Sequence, residues 1–131
     1  MTAQPLSRIL YVEDDADVRK VATFALKMVG KFEIEACSSG EEALEKAAAF
    51  APQLLLLDVM MPGMDGPTTL ARLRELPEIA GTPAIFMTAK VQPQEVQRYR
   101  DLGSLDVISK PFDPMTLSAT VREIWSSQGT H

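Results

Sequence analysis

The sequence predicts an α/β fold, a doubly wound parallel sheet of five strands with helices on both faces. Two patterns lead there. Short apolar runs alternate with segments of helical period, five times over, and most of the runs are apolar throughout, as strands covered on both faces must be. The polar residues that stand out, Glu13-Asp14-Asp15, Asp58, Thr88 and Lys110, each follow such a run. Ligands of open parallel sheets bind beyond the carboxyl ends of the strands, at a topological switch point.

The elements follow in order. Residues 9–12, with Tyr11 inside the run, read as a buried strand. Residues 17–29 place Val18, Val21, Ala22, Ala25 and Val29 on one helical stripe, and Gly30 stands where a helix-ending glycine belongs. Residues 32–37 alternate and form the second strand. Ser39 or Gly40 opens an Ala-rich helix over 41–50, with Pro52 just past its end. Residues 54–58 are the third strand. Gly66-Pro67 opens the third helix, with proline suited to the first helical position. Residues 83–88, 93–102, 105–109 and 114–125 complete the series, with Gly103 closing the fourth helix. Residues 1–6 read as a loose leader and 127–131 as a frayed tail, leaving one domain over 7–126.

Bulk properties narrow the function. A chain of 131 residues with 46% hydrophobic content suits one folded domain. Thirteen basic against eighteen acidic residues leave a net charge of −5, unfavourable for nucleic-acid binding. Cys37 is the single cysteine, so no intrachain disulfide forms. There is neither a signal-peptide pattern nor an apolar stretch approaching the roughly 20 residues of a membrane span, so a cytoplasmic location is expected. The seven methionines read as core filler and turn residues, Trp125 as a packing residue, and His131 as a disordered end without a catalytic role.

The strand-end residues carry the chemistry. Three adjacent acids can cap a helix, but their mutual repulsion also invites a divalent cation. Oxygen ligands favour Mg²⁺. Neighbours on an extended chain point to opposite sides, so spacing does not select which of Glu13, Asp14 and Asp15 would bind it. Asp58 can act as a nucleophile toward phosphorus. Such a transfer needs positioning and neutralisation of the phosphoryl oxygens, which Mg²⁺, the Lys110 ammonium and the Thr88 hydroxyl could supply. Nearby acids raise the pKa of Asp58, whereas Lys110 and a metal lower it. With metal bound, Asp58 is expected to be ionised at neutral pH. Lys110-Pro111 is a candidate cis bond.

Taken together, Glu13-Asp14, Asp58, the turn Met61-Pro62-Gly63-Met64-Asp65-Gly66, Thr88-Ala89 and Lys110-Pro111-Phe112 resemble the receiver domain of two-component response regulators, of the chemotaxis-regulator (CheY-like) type. The match runs from about Arg8 to Trp125. The resemblance implies a flavodoxin-like fold with strand order 2-1-3-4-5, the order for which this family is itself a standard example. It also implies that Asp14 and Asp58 touch Mg²⁺, that Glu13 acts mostly through water, and that the Met60 backbone carbonyl completes the ligands. Asp15 is then a neighbour or helix cap. Asp58 is the phosphoacceptor, Thr88 hydrogen-bonds the phosphoryl group, and Lys110 pairs with it. The cis bond at Lys110-Pro111 holds the lysine, and small Ala89 leaves access.

The family often carries an aromatic three residues before the lysine, where this chain has Val107. The usual rotamer switch is then missing, and a smaller or differently routed response is expected in helix four, strand five and helix five. Met60 and Lys90 occupy the variable positions beside the site. The implied donor is a histidine kinase or histidine phosphotransfer protein docking on helix one, with Val18, Arg19 and Ala22 as candidate contacts. A downstream protein target, no nucleic acid or membrane, and a monomer or weak dimer complete the expectation. The domain is read as a stand-alone acceptor, not a turnover enzyme.

Three alternatives compete with that reading. A receiver cut from a hybrid kinase would look the same. An unphosphorylated interaction module should lack some of the site residues, all of which are present. A phosphatase of the haloacid dehalogenase type would carry a second Asp two residues after Asp58, where Met60 stands.

Overall fold

The computed structural model describes residues 5–89 and 91–128. The elements run β1 (Arg8–Val12), α1 (Ala16–Met28), β2 (Glu33–Cys37), α2 (Gly40–Phe50), β3 (Leu54–Asp58), α3 (Gly66–Leu73), β4 (Ala84–Thr88), α4 (Pro93–Asp101), β5 (Ser104–Ser109) and α5 (Leu117–Gln128). All strand pairs are parallel, in the order β2-β1-β3-β4-β5. The βα alternation and the order implied by the family resemblance both hold.

Each strand sends alternate residues to opposite faces, which produces two cores. On one face Leu10, Val12, Leu55, Leu57 and Phe86 pack with Ala43 and Ala47 of α2, Leu70 and Leu73 of α3, and Tyr99 of α4. On the other, Ile9, Tyr11, Leu54, Leu56, Ile85 and Met87 pack with Ala22 and Leu26 of α1 and with Leu117 and Val121 of α5. Leu54 to Leu57 are fully buried, each contributing about 1.5–3 kcal/mol of transfer free energy. This central position makes the Leu run of β3 continuous, whereas β2 sits at an edge and alternates. Trp125 packs half-buried against the second core, as expected.

Local signals set the helix starts. The Asp15 carboxylate accepts from the Asp17 and Val18 N–H groups, Ser39 Oγ from Glu42 N–H, and the Asp65 carboxylate from Thr68 N–H. Each cap satisfies main-chain donors that the first helical turn leaves open.

Several expectations need correction. The buried side of α1 is Ala22, Ala25 and Leu26, while Val21 and Val29 are about half exposed (48% and 47%). Apolar residues occur all around this helix, so periodicity selected the wrong stripe. Leu6, assigned to the leader, is buried in the second core. Residues 114–116 form a turn before α5, and that helix continues through Ser127, assigned to the tail. Met61 and Met87 are core and Met60 and Met115 lie exposed in loop and turn segments, as read, but Met28 is exposed on α1. Lys90 and His131 lie outside the described residues. No helix among the described residues is long and apolar enough to cross a membrane.

Candidate functional site

Four strand ends meet at the carboxyl edge of the sheet. Asp58 ends β3 and is buried, as is Glu13, the first residue after β1. Lys110 follows β5 and is half-buried. Its Nζ donates to Asp58 Oδ1 at 3.1 Å and to Glu13 Oε1 at 3.0 Å. One ammonium thus bridges residues that are 52 and 97 positions away in sequence. The Lys110 N–H donates to the Thr88 carbonyl at 2.9 Å, tying the β5 end to the β4 end, and Thr88 itself is buried. The Lys110-Pro111 bond is cis, as expected.

Carboxylate oxygens from Glu13, Asp14 and Asp58 lie within 4.8 Å of one another. The turn after β1 therefore brings two adjacent acids to one side, which an extended chain would not do. Asp15 turns away to cap α1. Three carboxylates at this separation form an oxygen donor set suited to a hard divalent cation.

Burial dominates the electrostatics. It pushes the Asp58 pKa up to about 7, Glu13 adds to the rise, and the hydrogen bond from Lys110 opposes it. Sequence reasoning anticipated the two charge effects but missed burial, the largest cause. Burial also works against the charge on Lys110, but its bonds to Glu13 and Asp58 outweigh that cost and leave its pKa raised. The pair is thus held as an ammonium facing an acid that titrates near neutrality.

Gly66 has a steric role beside the site that the sequence did not reveal. A Cβ there would overlap the Asp58 carbonyl oxygen and crowd the Val59 backbone. Its N–H donates to the Val59 carbonyl at 2.9 Å. Gly66 lets the loop after β3 fold directly against the acid-bearing strand end, while Gly63 adopts the left-handed φ of +73° that the intervening turn requires. Met60, two residues past Asp58, has a largely exposed side chain.

Other expected residues divide. Ala22 is fully buried and cannot meet a partner, because it packs under α1 against the sheet. Val18 and Arg19 are half-buried. Val107 packs half-buried against the first core. The aromatic contact in that region comes from α4: Tyr99 meets Phe86 edge-on, with ring centroids 5.3 Å apart and planes at 60°.

A doubly wound sheet with an acid, a cation and an acidic group at its switch point defines the class: a small α/β domain with its site on the strand tips. The response regulator receiver domain family model matches residues 9–122, and the chain belongs to that family. It is 34% identical over 118 residues to the transcriptional regulatory protein CseB of Streptomyces coelicolor, covering 90% of this chain and 49% of the relative. Identity to the response regulator Rre1 of Synechocystis is also 34%, over 127 residues, covering 96% and 54%. The chain thus spans about half the length of these curated relatives. Among solved structures, the chemotaxis response regulator CheY4 of Vibrio cholerae matches with a TM-score of 0.82 and 28% identity, covering 92% of this chain and 99% of that one.

This is a response regulator receiver domain, a phosphoacceptor signalling module of two-component systems. Receiver domains bind Mg²⁺ at an acidic pocket and interact with histidine kinases. The grouped oxygens of Glu13, Asp14 and Asp58 fit such an ion.

Proposed function

We propose that Asp58 is the phosphoacceptor of this receiver, with Thr88 and Lys110 as its partners in the transfer. The observation that carries this reading is the convergence of one buried carboxylate, an ammonium and two further acids on one strand edge. In the transfer, a carboxylate oxygen of Asp58 forms a bond to phosphorus as the bond from phosphorus to the donor imidazole breaks. The imidazole leaves with the electron pair and takes up a proton. Lys110 Nζ neutralises developing charge on the phosphoryl oxygens, and the Thr88 hydroxyl donates to one of them. Glu13, Asp14, Asp58 and the Met60 carbonyl would hold Mg²⁺. When bound there, the ion supplies further charge neutralisation and favours the ionised form of Asp58.

The donor is a histidine kinase or histidine phosphotransfer protein, and the domain, extended to Leu6 and Gln128, works in the cytoplasm. An open groove lined by Val18, Val21, Ala89, Lys110, Phe112 and Pro114 runs from α1 to the site. It supports docking of the donor beside Asp58, with exposed Val21 and Phe24 replacing buried Ala22 as contacts. The phosphorylated domain acts once per cycle as an acceptor and signals by protein–protein contact.

The test is intact mass after incubation with acetyl phosphate, with and without Mg²⁺, on the wild type and Asp58→Asn. One Mg²⁺-dependent phosphoryl adduct, absent from Asp58→Asn, is expected. A folded wild type that gains no adduct, and binds no phosphoryl mimic, would instead be an unphosphorylated interaction module.

A further inference from the structure

We infer that Arg19 is a positioning residue for the Mg²⁺ ligands, acting through the main chain of the acidic turn. This deepens the proposed function and rests on Glu13 and Asp14 serving as ligands. Arg19 lies in the first turns of α1, and its guanidinium reaches back to the loop between β1 and α1. One of its terminal nitrogens, Nη1, donates to the Glu13 carbonyl at 2.8 Å and reaches the Asp14 carbonyl at 3.4 Å. Those two peptide units carry two of the three grouped acids.

The turn is held at other points as well. Glu13 N–H donates to the Cys37 carbonyl at 3.0 Å, and Asp15 N–H reaches Glu13 Oε2 at 3.3 Å. Asp15 caps α1, and Arg19 N–H donates to the Asp15 carbonyl at 2.9 Å. These bonds anchor Glu13 and Asp15. Arg19 adds a direct tie from α1 to the carbonyl sides of Glu13 and Asp14. Adjacent residues in extended backbone would direct their carboxylates apart, so the conformation of this turn is what makes them converge.

A simple charge argument gives the opposite sign. A guanidinium beside three carboxylates should repel a divalent cation, so its removal should tighten Mg²⁺ binding. Positioning predicts that removal weakens binding, because the ligands must then be ordered at the expense of binding energy. The two effects are therefore separable by experiment. The bonds also direct Arg19 inward and make it a poor choice as a partner contact.

The experiment is a Mg²⁺ titration of wild type, Arg19→Met and Arg19→Lys, followed by amide chemical shifts. Thermal unfolding in Mg²⁺-free buffer runs in parallel. Met retains much of the aliphatic length, and Lys retains the charge and one donor. The expected result is a roughly tenfold weaker Kd for Arg19→Met, with substantial recovery in Arg19→Lys and folded protein in both. A purely structural role would lower the unfolding temperature without changing the Mg²⁺ affinity of the folded fraction. Unchanged or tighter binding by folded Arg19→Met overturns the inference. If Arg19→Met does not fold, Arg19→Gln, uncharged and too short to reach both carbonyls, decides in its place: weaker Mg²⁺ binding by the folded protein supports the inference, and unchanged or tighter binding overturns it. A folded wild type that binds no Mg²⁺ overturns the underlying ligand reading, which is a distinct result from wild-type binding that Arg19 does not influence.

Discussion

Two clusters in this molecule have the same chemical inventory and opposite behaviour. At the site, Lys110 lies 3.0 Å from Glu13 and 3.1 Å from Asp58. Beside β2 and α2, Lys46 lies 2.8 Å from Glu42 and 3.6 Å from Glu35. Each is two acids and one lysine. The site acids are almost wholly buried, while Glu42 and Glu35 have side-chain exposures of 30% and 34%. Asp58 is pushed up to about 7, chiefly by burial. Glu42 is pulled down to about 2, chiefly by its hydrogen bond from Lys46, with a further bond from the Ser38 N–H. Solvent access, not the identity of the charged groups, decides which sign prevails. A pair left in water is a surface tether, whereas the same groups desolvated hold an acid that titrates near neutrality, which is what the proposed transfer would use.

Exchanging the two lysines tests that contrast most strongly. Lys110→Met should slow phosphoryl transfer from acetyl phosphate by about a hundredfold, the scale of losing one preorganised charge stabiliser. Lys46→Met should leave the rate unchanged. Initial rates of adduct formation by intact mass measure both, and comparable losses in the two variants would show that the clusters are not functionally distinct.

Stability should separate the same variants by a smaller effect. In Mg²⁺-free buffer near pH 8, Lys110→Met leaves two buried acids without their cation and should cost on the order of 3 kcal/mol. Lys46→Met should have a far smaller effect, because the pair is exposed and screened. Urea unfolding of each variant reports the difference.

The pH dependences should then run in opposite directions. Asp58 has a folded pKa raised from 3.8 to about 7, so the stability it permits is fully present below 3.8 and is lost as pH rises through 7. Without Mg²⁺, Asp58→Asn should match the wild type near pH 4. It should exceed it by a few kcal/mol at pH 8, at about 1.4 kcal/mol per pKa unit. Glu42 has a folded pKa lowered from 4.5 to about 2, so its contribution is present above 4.5 and lost as pH falls toward 2. Glu42→Gln should therefore cost about 0.5 kcal/mol at pH 7 after allowance for exposure, and nothing at pH 2. Parallel pH curves for Asp58→Asn and Glu42→Gln would remove the claim that burial sets the sign.

The sequence alone determined the element order, candidate caps at Asp15 and Ser39, and the placement of Asp58, Thr88 and Lys110 at strand ends, but not the Asp65 cap of α3. These are local properties: apolar runs, side-chain periodicity, and Asp or Ser ahead of a helix act within a few residues. The acidic turn was legible as a cluster, but the convergence of its first two members with Asp58 was not. Convergence depends on bonds to the main chain of the turn, one donated by the Arg19 guanidinium to the Glu13 carbonyl and one donated by the Glu13 N–H to the Cys37 carbonyl, and Cys37 belongs to another strand. Only the tertiary structure selected Leu26 over Val21 for the buried side of α1, since both are apolar and only packing distinguishes them. It also decided that Gly66 must be small, through its approach to the Asp58 carbonyl. The largest effect on Asp58 is the loss of water around it, which arises from the whole surrounding fold and has no signature in neighbouring residues.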